Sequence, residues 1–186
     1  MNRLFLSLAL LTFAFTSCKK EQNPFEIGKQ HVGLLTDSTQ VKDIKTAFSK
    51  DSISRFDSGD GFSRRINTID IFDETGKKLL VLSPRTLADS TSAISSVQIM
   101  DARYKTSENI SISSTFKDIN NAYKISRINN LINSVVVTVN EINAAFTIDK
   151  KELPANLRFD RNLTIEPIHI PDNAKIKYFF INWNNK

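Results

Sequence analysis

The chain has 186 residues, of which 40% are hydrophobic and 24% charged, and its formal net charge at pH 7 is +5. This length suits one domain or two small fused units. The single cysteine excludes an internal disulfide. The 25 lysines and arginines are scattered among 20 acidic residues rather than gathered in one stripe, which argues against nucleic acid as a partner.

Residues 1–17 have the pattern of an export signal. Arg3 precedes an apolar stretch over residues 4–15 that only Ser7 and Thr12 interrupt. The stretch is shorter than the roughly 20 residues of a transmembrane helix. The sequence therefore predicts a cleaved signal peptide.

Cys18, the only cysteine, follows this signal directly. The residues "FTSC" at 15–18 resemble the bacterial lipoprotein motif, in which the cysteine is diacylated on sulfur and becomes the first residue after cleavage. A buried free thiol is the alternative, but such a residue would lie in a core rather than at a cleavage point. Two or three acyl chains give stable membrane anchoring. The residue after the cysteine, Lys19, is not aspartate, which resembles the rule for sorting to the outer membrane in some Gram-negative bacteria. We expect a lipid-anchored envelope protein.

The remaining chain divides into a tether and a single domain. Residues 18–30 lack apolar periodicity and contain Pro24 and Gly28, so they are predicted to be the lipidated cysteine and a flexible tether. Residues 31–186 are predicted to be one domain with two related halves, 31–101 and 109–186.

The two halves share a sequence pattern. Residues 38–55 and 114–127 each contain Ser-Thr, then Lys-Asp-Ile, then alanine with an aromatic residue, then Ile-Ser-Arg. Helical spacing of apolar residues predicts two short amphipathic helices, with Thr39 and Thr115 as N-caps and a capping box between Thr115 and Asp118. The residues predicted to face the core are Val41, Ile44, Ala47 and Phe48 in the first copy, and Phe116, Ile119, Ala122 and Tyr123 in the second.

Strands are predicted for the rest of both halves. Alternation and turn residues indicate strands at 67–73, 78–83, 93–100, 134–139, 144–149 and 175–183. The strands at 134–139 and 175–183 are apolar on both faces, which predicts burial on both sides. The predicted fold is α+β, a largely antiparallel sheet with two short helices in two β-α-β-β-β halves.

Several segments resemble a known family. "VGLLTDST" at 32–39, "ISSVQIMD" at 94–101 with "ISSTF" at 112–116, and the closing "KYFFINW" are similar to the YfeY-like family of cell-envelope lipoproteins of unknown function, associated with the envelope-stress response. Gly33, Leu35 and Thr36 fit its Gly-x-Leu-Thr element, whereas residues 114–116 lack the glycine and proline of its Gly-Thr-Pro-Phe-like element. The resemblance implies localisation to the cell envelope and the fold of that family. It implies no catalytic residues, because none are established for the family.

No pattern of metal ligands or catalytic groups is present. The two histidines, His31 and His169, are isolated in the sequence, so no metal site and no cofactor are predicted. His169 is predicted to face outward from an edge strand. The segment "DSGDG" at 57–61 is predicted to be a hairpin turn, because Thr68 stands where a calcium loop needs an acidic ligand.

Two sets of residues are candidate binding sites. Hydroxyls at the predicted helix starts, Ser38, Thr39, Ser114 and Thr115, could hold an anion, although ordinary capping also explains them. The stretch joining the halves offers Asp101, Arg103, Tyr104 and Lys105 as a contact for an envelope protein or glycan, with a solvated linker as the alternative.

Function is predicted only by class. Three Asp-Ser/Thr motifs at Ser38, Ser52 and Ser90 resemble the bacterial O-glycosylation pattern. We expect a binding or structural role at the membrane, reached through the N-terminal lipid. The alternative is a small hydrolase that acts on envelope glycan or lipid through carboxylates gathered from both halves.

Overall fold

The computed structural model describes residues 23–58, 66–160 and 162–183. The predicted signal peptide and Cys18 lie outside the described residues, as does most of the predicted turn at 57–61. Among the helices that are described, none combines the length and the hydropathy that a membrane crossing needs.

Two sheets and two short helices form the fold. A small sheet has the order β3-β2-β1-β8 and consists of β1 (Glu26–Ile27), β2 (His31–Val32), β3 (Leu35–Thr36) and β8 (Lys105–Thr106). A large antiparallel sheet has the order β4-β5-β6-β7-β12-β11-β10-β9. Its strands are β4 (Ser52–Ser58), β5 (Ile66–Phe72), β6 (Lys78–Pro84), β7 (Ile94–Ile99), β9 (Arg127–Asn130), β10 (Ser134–Val139), β11 (Ala144–Asp149) and β12 (Ile176–Asn182).

The helices precede the strands of each half. Helix α1 (Ile44–Ala47) continues a 3-10 turn at Val41–Asp43, and α2 (Phe116–Ala122) begins the second half. Further 3-10 turns lie at Lys150–Glu152, Ala155–Leu157 and Pro167–His169. The predicted α+β class and antiparallel sheet are confirmed. Each helix is followed by four strands of the large sheet rather than by the three predicted. The additional strands are β4 and β9, the two edge strands.

The halves meet in a seam, the pairing of β7 with β12, that has two-fold symmetry. Ile99 pairs with Phe179, Val97 pairs with Ile181, and Gln98 pairs with Phe180 between them. A two-fold axis between Gln98 and Phe180 would superpose Val97 on Phe179 and Ile99 on Ile181. The pair of Ile99 with Phe179 then exchanges with the pair of Val97 with Ile181. Both four-stranded meanders therefore extend from a central symmetric pair of strands.

The same correspondence extends to the helix starts and the bulges. Gln40 bridges to Ala93 before β7, and Thr115 bridges to Lys175 before β12. Val41 N donates to Ser92 O at 3.0 Å, as Phe116 N donates to Ala174 O at 2.9 Å. A register shift leaves Ser95 unpaired in β7 and Lys177 unpaired in β12. The halves thus share backbone hydrogen bonds as well as element order.

One face of the large sheet carries the core. The buried residues of successive strands alternate with half-buried ones, as in Val135, Val137 and Val139 of β10. The prediction that the strands at 134–139 and 175–183 are buried on both sides is wrong, because Tyr178 on the opposite face is 40% exposed and Phe180 is only half-buried. An antiparallel sheet can pack one face on the core and leave the other in contact with solvent, and here that second face keeps apolar side chains such as Val136 and Phe180, which are half-buried.

The helices pack on this core as the sequence predicts. Val41, Ile44 and Phe48 are buried, and so are Phe116, Ile119 and Tyr123. Ala47 and Ala122 are partly buried against the same cluster. Helices this short are marginal in isolation, so these apolar contacts hold them in place.

The fold begins earlier than predicted. Ile27 is 2% exposed, and the Phe25 ring lies edge-on to Tyr104 with centroids 5.1 Å apart. Gly33, at φ +55°, makes the tight turn between β2 and β3. The predicted tether through residue 30 is therefore too long, because residues 25–30 pack on the domain.

His169 does not lie on a strand, contrary to the prediction. It ends the 3-10 turn at Pro167–His169, and its Nδ1 accepts a hydrogen bond from Glu166 N at 3.0 Å. No group of histidine, cysteine or carboxylate side chains suited to a metal ion occurs among the described residues.

Candidate functional site

The loop after β7 forms an ion-pair network, here called the Arg103 network, with the turn between β5 and β6. Arg103 Nη2 lies 2.8 Å from Asp73 Oδ2 and 3.0 Å from Asp101 Oδ2. Lys77 Nζ lies 2.8 Å from Asp101 Oδ2. The Arg103 guanidinium also lies 5.0 Å from the centroid of the Phe25 ring. The network thus joins two strand connections to the start of the fold.

Charges in the network are balanced. Burial raises the pKa of Asp101, but hydrogen bonds from Arg103 and Lys77 outweigh it and lower that pKa to about 2. The pKa of Asp73 is also lowered to about 2, first by the Thr75 hydroxyl and further by Lys77 N–H and Arg103. Hydrogen bonds to both carboxylates raise the pKa of Arg103. Asp73, Asp101 and Arg103 are therefore held in their charged forms.

Two of the four predicted contact residues are unavailable to a partner. Asp101 is 1% exposed and Tyr104 is 2% exposed, so the expectation of a surface contact at these two side chains is wrong. Asp101 lies beneath its ion pairs, and Tyr104 packs against Phe25. Arg103 and Lys105 are exposed, and a partner contact through them stays a prediction.

The predicted helix-start residues have local partners. Thr115 caps α2, and its backbone N–H and hydroxyl both donate to Asp118 Oδ2, at 2.7 and 2.9 Å. The capping box is confirmed, and the Asp118 carboxylate disfavours a second anion there. Ser114 Oγ accepts from Ser111 N at 3.1 Å.

The start of α1 differs from the prediction. Gln40, not Thr39, precedes the 3-10 turn and provides no side-chain cap. Thr39 Oγ1 instead accepts a hydrogen bond from Thr36 N at 2.8 Å, and Ser38 Oγ lies 3.0 Å from Thr36 Oγ1. The hydroxyls therefore stabilise the turn that precedes the helix.

A cluster of cations that the sequence did not predict as a site lies where β11 ends and β12 begins. A cavity of about 470 Å³ is lined here by four cations and one carboxylate, which are Lys150, Lys151, Arg158, Lys177 and Asp149. These five residues are called the basic pocket. Lys177 Nζ lies 3.0 Å from Asp149 Oδ2, and Lys151 Nζ lies 3.6 Å from the same atom. One carboxylate therefore faces four cations, which leaves a net charge of +3.

Two strand-end features build the basic pocket. Asp149 ends β11, and its Oδ1 accepts from Lys151 N at 3.1 Å, which holds the following 3-10 turn. Lys177 is the unpaired residue of the β12 bulge. Arg158 is held by its Nε, which donates to Leu153 O at 2.8 Å. The backbone thus fixes three of the charged side chains from separate segments.

The single carboxylate of the basic pocket does not pair with all of its cations. The hydrogen bond from Lys151 N–H and that from Lys177 lower the pKa of Asp149, and Asp149 in turn raises the pKa of Lys177. Lys150 is 4% exposed, and its Nζ has no hydrogen-bond partner among the described residues. Burying an ammonium without a partner is costly, so an added anion would lower the energy of this site.

Large apolar side chains surround the basic pocket. Phe159 is 87% exposed and Ile132 is 65% exposed, and both line the cavity. Leu131, next to Ile132, is 48% exposed. Exposed apolar groups beside a charged concavity are typical of interaction sites rather than of ordinary surface.

The basic pocket lies at the edge of the large sheet where the chain enters the fold. Strands β5, β7 and β11 run in the same direction in this antiparallel sheet, so all three end on the same side of it. This side, formed by strand ends, is here called the entry edge. Asp73 and Asp101 follow β5 and β7, and Asp149 ends β11. Because Phe25 contacts Arg103 at this edge, the start of the fold and the basic pocket lie at the same end of the molecule.

The fold does not require a cation at the bulge position that Lys177 occupies. The two-fold counterpart of Lys177 is Ser95, which forms the equivalent bulge with its hydroxyl bonded to Ser83 O at 2.9 Å. A small neutral residue therefore suffices at this position. A sequence signal does exist, since "DKKELPANLR" at 149–158 concentrates three cations after a strand, but its approach to Lys177 depends on the sheet pairing.

Of two further cavities, one contains a single carboxylate and the other contains two, one of which belongs to the α2 capping box. A cavity of about 400 Å³ beside α1 is lined by one carboxylate, Asp51, whose pKa is raised by burial and then by Asp73 and Glu74. A cavity of about 380 Å³ beside α2 is lined by Glu108 and Asp118, and Asp118 serves the capping box.

The serines of the Asp-Ser/Thr motifs are accessible. Ser38, Ser52 and Ser90 are all exposed. In the third motif, Asp89 Oδ1 accepts from the Thr91 hydroxyl at 2.7 Å, which also explains this pairing as an ordinary turn. Glycosylation at these residues stays a prediction.

Comparison with known proteins identifies the fold. The chain is similar to the crystal structure of the uncharacterized protein yfeY from Escherichia coli, with a TM-score of 0.54 and 14% sequence identity, and the match covers 84% of this chain and 99% of that chain. The resemblance to the YfeY-like family predicted from the sequence is thus confirmed for the fold. No family model matches the sequence, and the search of curated proteins gave no match.

Proposed function

We propose that this chain is an exported lipoprotein, anchored to the envelope membrane through Cys18, whose domain binds a partner at the membrane surface. The observation that carries the proposal is the position of the basic pocket at the entry edge. The chain enters the fold at that edge, and the first described residue, Asn23, follows Cys18 by five positions.

The short connection limits how far the domain can lie from its anchor. Five residues span at most about 18 Å even when fully extended. An acylated Cys18 in the bilayer surface would therefore hold the entry edge close to the lipid headgroups. The four cations of the basic pocket and the exposed Phe159 belong to the same edge, and this composition suits a surface that works beside a membrane.

A binding role fits the groups that the structure brings together. The carboxylates with shifted pKa values in the Arg103 network are tied up in ion pairs. The basic pocket offers charge and shape without a pair of carboxylates. Recognition of an anionic partner needs no more than this.

The anchor is tested by fatty-acid labelling in a Gram-negative host. We expect labelled palmitate to enter the full chain and the Ser17→Ala variant but not Cys18→Ala, because only the cysteine sulfur accepts the diacylglycerol group. Mass spectrometry of the mature protein should show a chain that begins at Cys18 and carries acyl groups.

The control, Ser17→Ala, changes the cleavage motif without removing the thiol. Fractionation after a carbonate wash should keep the labelled wild-type chain with the membranes. A wild-type chain that takes up no fatty acid, or that keeps residues 1–17 after export, would overturn the proposal.

A further inference from the structure

We infer that the basic pocket binds the phosphate group of an anionic membrane phospholipid, with Phe159 and Ile132 in the surrounding headgroup layer. The inference deepens the proposed function and rests on it, because it names the ligand of the same edge. Its chemistry is that of a phosphodiester with one negative charge, recognised by ammonium and guanidinium groups.

The charge of the pocket selects an anion. Lys151 and Lys177 both lie near the Asp149 carboxylate, so a single internal anion is shared by two cations. Arg158 uses its Nε for Leu153 O, and its terminal guanidinium nitrogens have no hydrogen bonds among those found within the described residues. Lys150 Nζ has no partner there either. A phosphate oxygen would satisfy donors that the protein itself leaves unpaired.

The size of the cavity suits a headgroup rather than an ion alone. About 470 Å³ falls within the range of about 300–1,000 Å³ that is usual for small-molecule sites. This space accepts a phosphate together with the glycerol groups on either side of it. A site built for free phosphate would enclose the ion more closely.

The rim distinguishes a membrane lipid from a soluble anion. Phe159 and Ile132 present apolar surface to solvent directly beside the cations, and Leu131 extends the same surface. Apolar side chains next to lysines and arginines are the composition of protein surfaces that insert into the interfacial layer of a bilayer. A soluble anion gains nothing from such a rim.

Isothermal titration calorimetry on the full processed chain in detergent tests the inference. Short-chain phosphatidylglycerol, short-chain phosphatidylcholine and inorganic phosphate are the three ligands. We expect phosphatidylglycerol to bind at least tenfold more tightly than either of the others. Equal binding of inorganic phosphate would overturn the lipid assignment, and equal binding of phosphatidylcholine would overturn the anion assignment.

Charge variants locate the site. Each cation contributes about a fivefold factor at an anionic lipid surface, so Lys151→Gln with Lys177→Gln should weaken phosphatidylglycerol binding by about twenty-fivefold. Asp149→Asn should tighten it by about fivefold, because the competing carboxylate is removed while the amide oxygen can still accept from Lys151 N. The matched control is Lys42→Gln with Lys45→Gln, which removes the same charge from exposed positions near α1 and should change nothing.

A rim variant separates insertion from charge. Phe159→Ala with Ile132→Ala should weaken phosphatidylglycerol binding several-fold and leave the weak binding of inorganic phosphate unchanged. Circular dichroism verifies that each variant is folded. If the charge variants keep wild-type affinity while fatty-acid labelling still depends on Cys18, the inference fails and the proposed anchor stands.

Discussion

Arg103 and Asp101 form a two-pronged ion pair. Arg103 Nε donates to Asp101 Oδ1 at 3.1 Å, and Nη2 donates to Asp101 Oδ2 at 3.0 Å. The Asp101 side chain is 1% exposed, whereas the Arg103 side chain is 46% exposed. A planar guanidinium is suited to this geometry in a way that an ammonium is not. The pair therefore lets a buried carboxylate follow the end of β7 inside the fold.

Replacing Arg103 with alanine should destabilise the protein. Asp101 would keep the backbone N–H of residue 103 and Lys77, whose own side chain is 60% exposed, and a buried carboxylate that loses a charged partner is costly. Urea unfolding of Arg103→Ala should give a clearly lower midpoint than unfolding of Lys77→Ala, and Arg103→Lys should recover part of the difference. Equal midpoints for the two alanine variants would show that Arg103 stabilises the buried Asp101 carboxylate no more than Lys77 does.

The same pair predicts loss of stability in acid. The pKa of Asp101 is about 2 in the folded chain and close to 3.8 when unfolded, so the unfolded state binds the proton first as the pH falls. Its contribution, about 2 kcal/mol, should be complete above pH 4 and disappear as the pH falls toward 2. Chemical unfolding across this window should show a smaller pH slope for Asp101→Asn. Asp172→Asn, at a residue whose side chain is 72% exposed, serves as the control and should keep the wild-type slope.

Phe48 and Tyr123 should contribute equally to stability. Each follows the last residue of its helix, donates its backbone N–H to the carbonyl four residues earlier at 2.9 Å, and is less than 10% exposed. Phe48→Ala and Tyr123→Ala should each cost about 3 kcal/mol in urea unfolding. Lys45→Ala and Asn121→Ala, at exposed positions of the same helices, are the controls. A cost below about 0.5 kcal/mol at either aromatic residue would contradict the equivalence of the helices.

Gly33 should not tolerate a side chain. Its φ is +55°, and a Cβ there would lie 2.2 Å from the Pro24 carbonyl oxygen, so both the backbone and the packing must shift. We expect Gly33→Ala to lower the free energy of unfolding by about 1–3 kcal/mol. Gly76 is the matched control, since it has φ +80° but nothing within 4 Å of the added methyl. If both variants lose equal stability, the contact with Pro24 is unimportant.

The sequence predicted what local patterns determine. The core faces of both helices and six of the strands followed from the spacing of apolar residues, because period 3.6 and period 2 reflect burial on one side. Edge strand β9, with the sequence "RINN", was not predicted, because a strand with one neighbour needs few apolar residues. The two-residue strand at Ile27 was not predicted because two residues are too few to show alternation, and one of its two partners, β8, is distant in sequence.

The basic pocket escaped for a related reason. Lys150, Lys151 and Arg158 are close in sequence, but Lys177 joins them only through the bulge that pairs β12 with β11. The contact loop was predicted from residue type alone, and burial of Tyr104 depends on the ring of Phe25, which the sequence assigned to a tether. Long-range pairings therefore explain both the missed site and the incorrect one.

The symmetric seam between β7 and β12 has a consequence for how such a chain could arise. A seam in which equivalent strands of two equivalent units pair about a two-fold axis is the interface that an isologous homodimer of one unit would use. Fusing the two units makes their association intramolecular, so that it no longer depends on protein concentration. It also frees each copy to change alone, and only the second carries a lysine, Lys177, where the first has Ser95. Covalent fusion would thus have allowed one half of a symmetric scaffold to acquire a charge that a homodimer must carry twice.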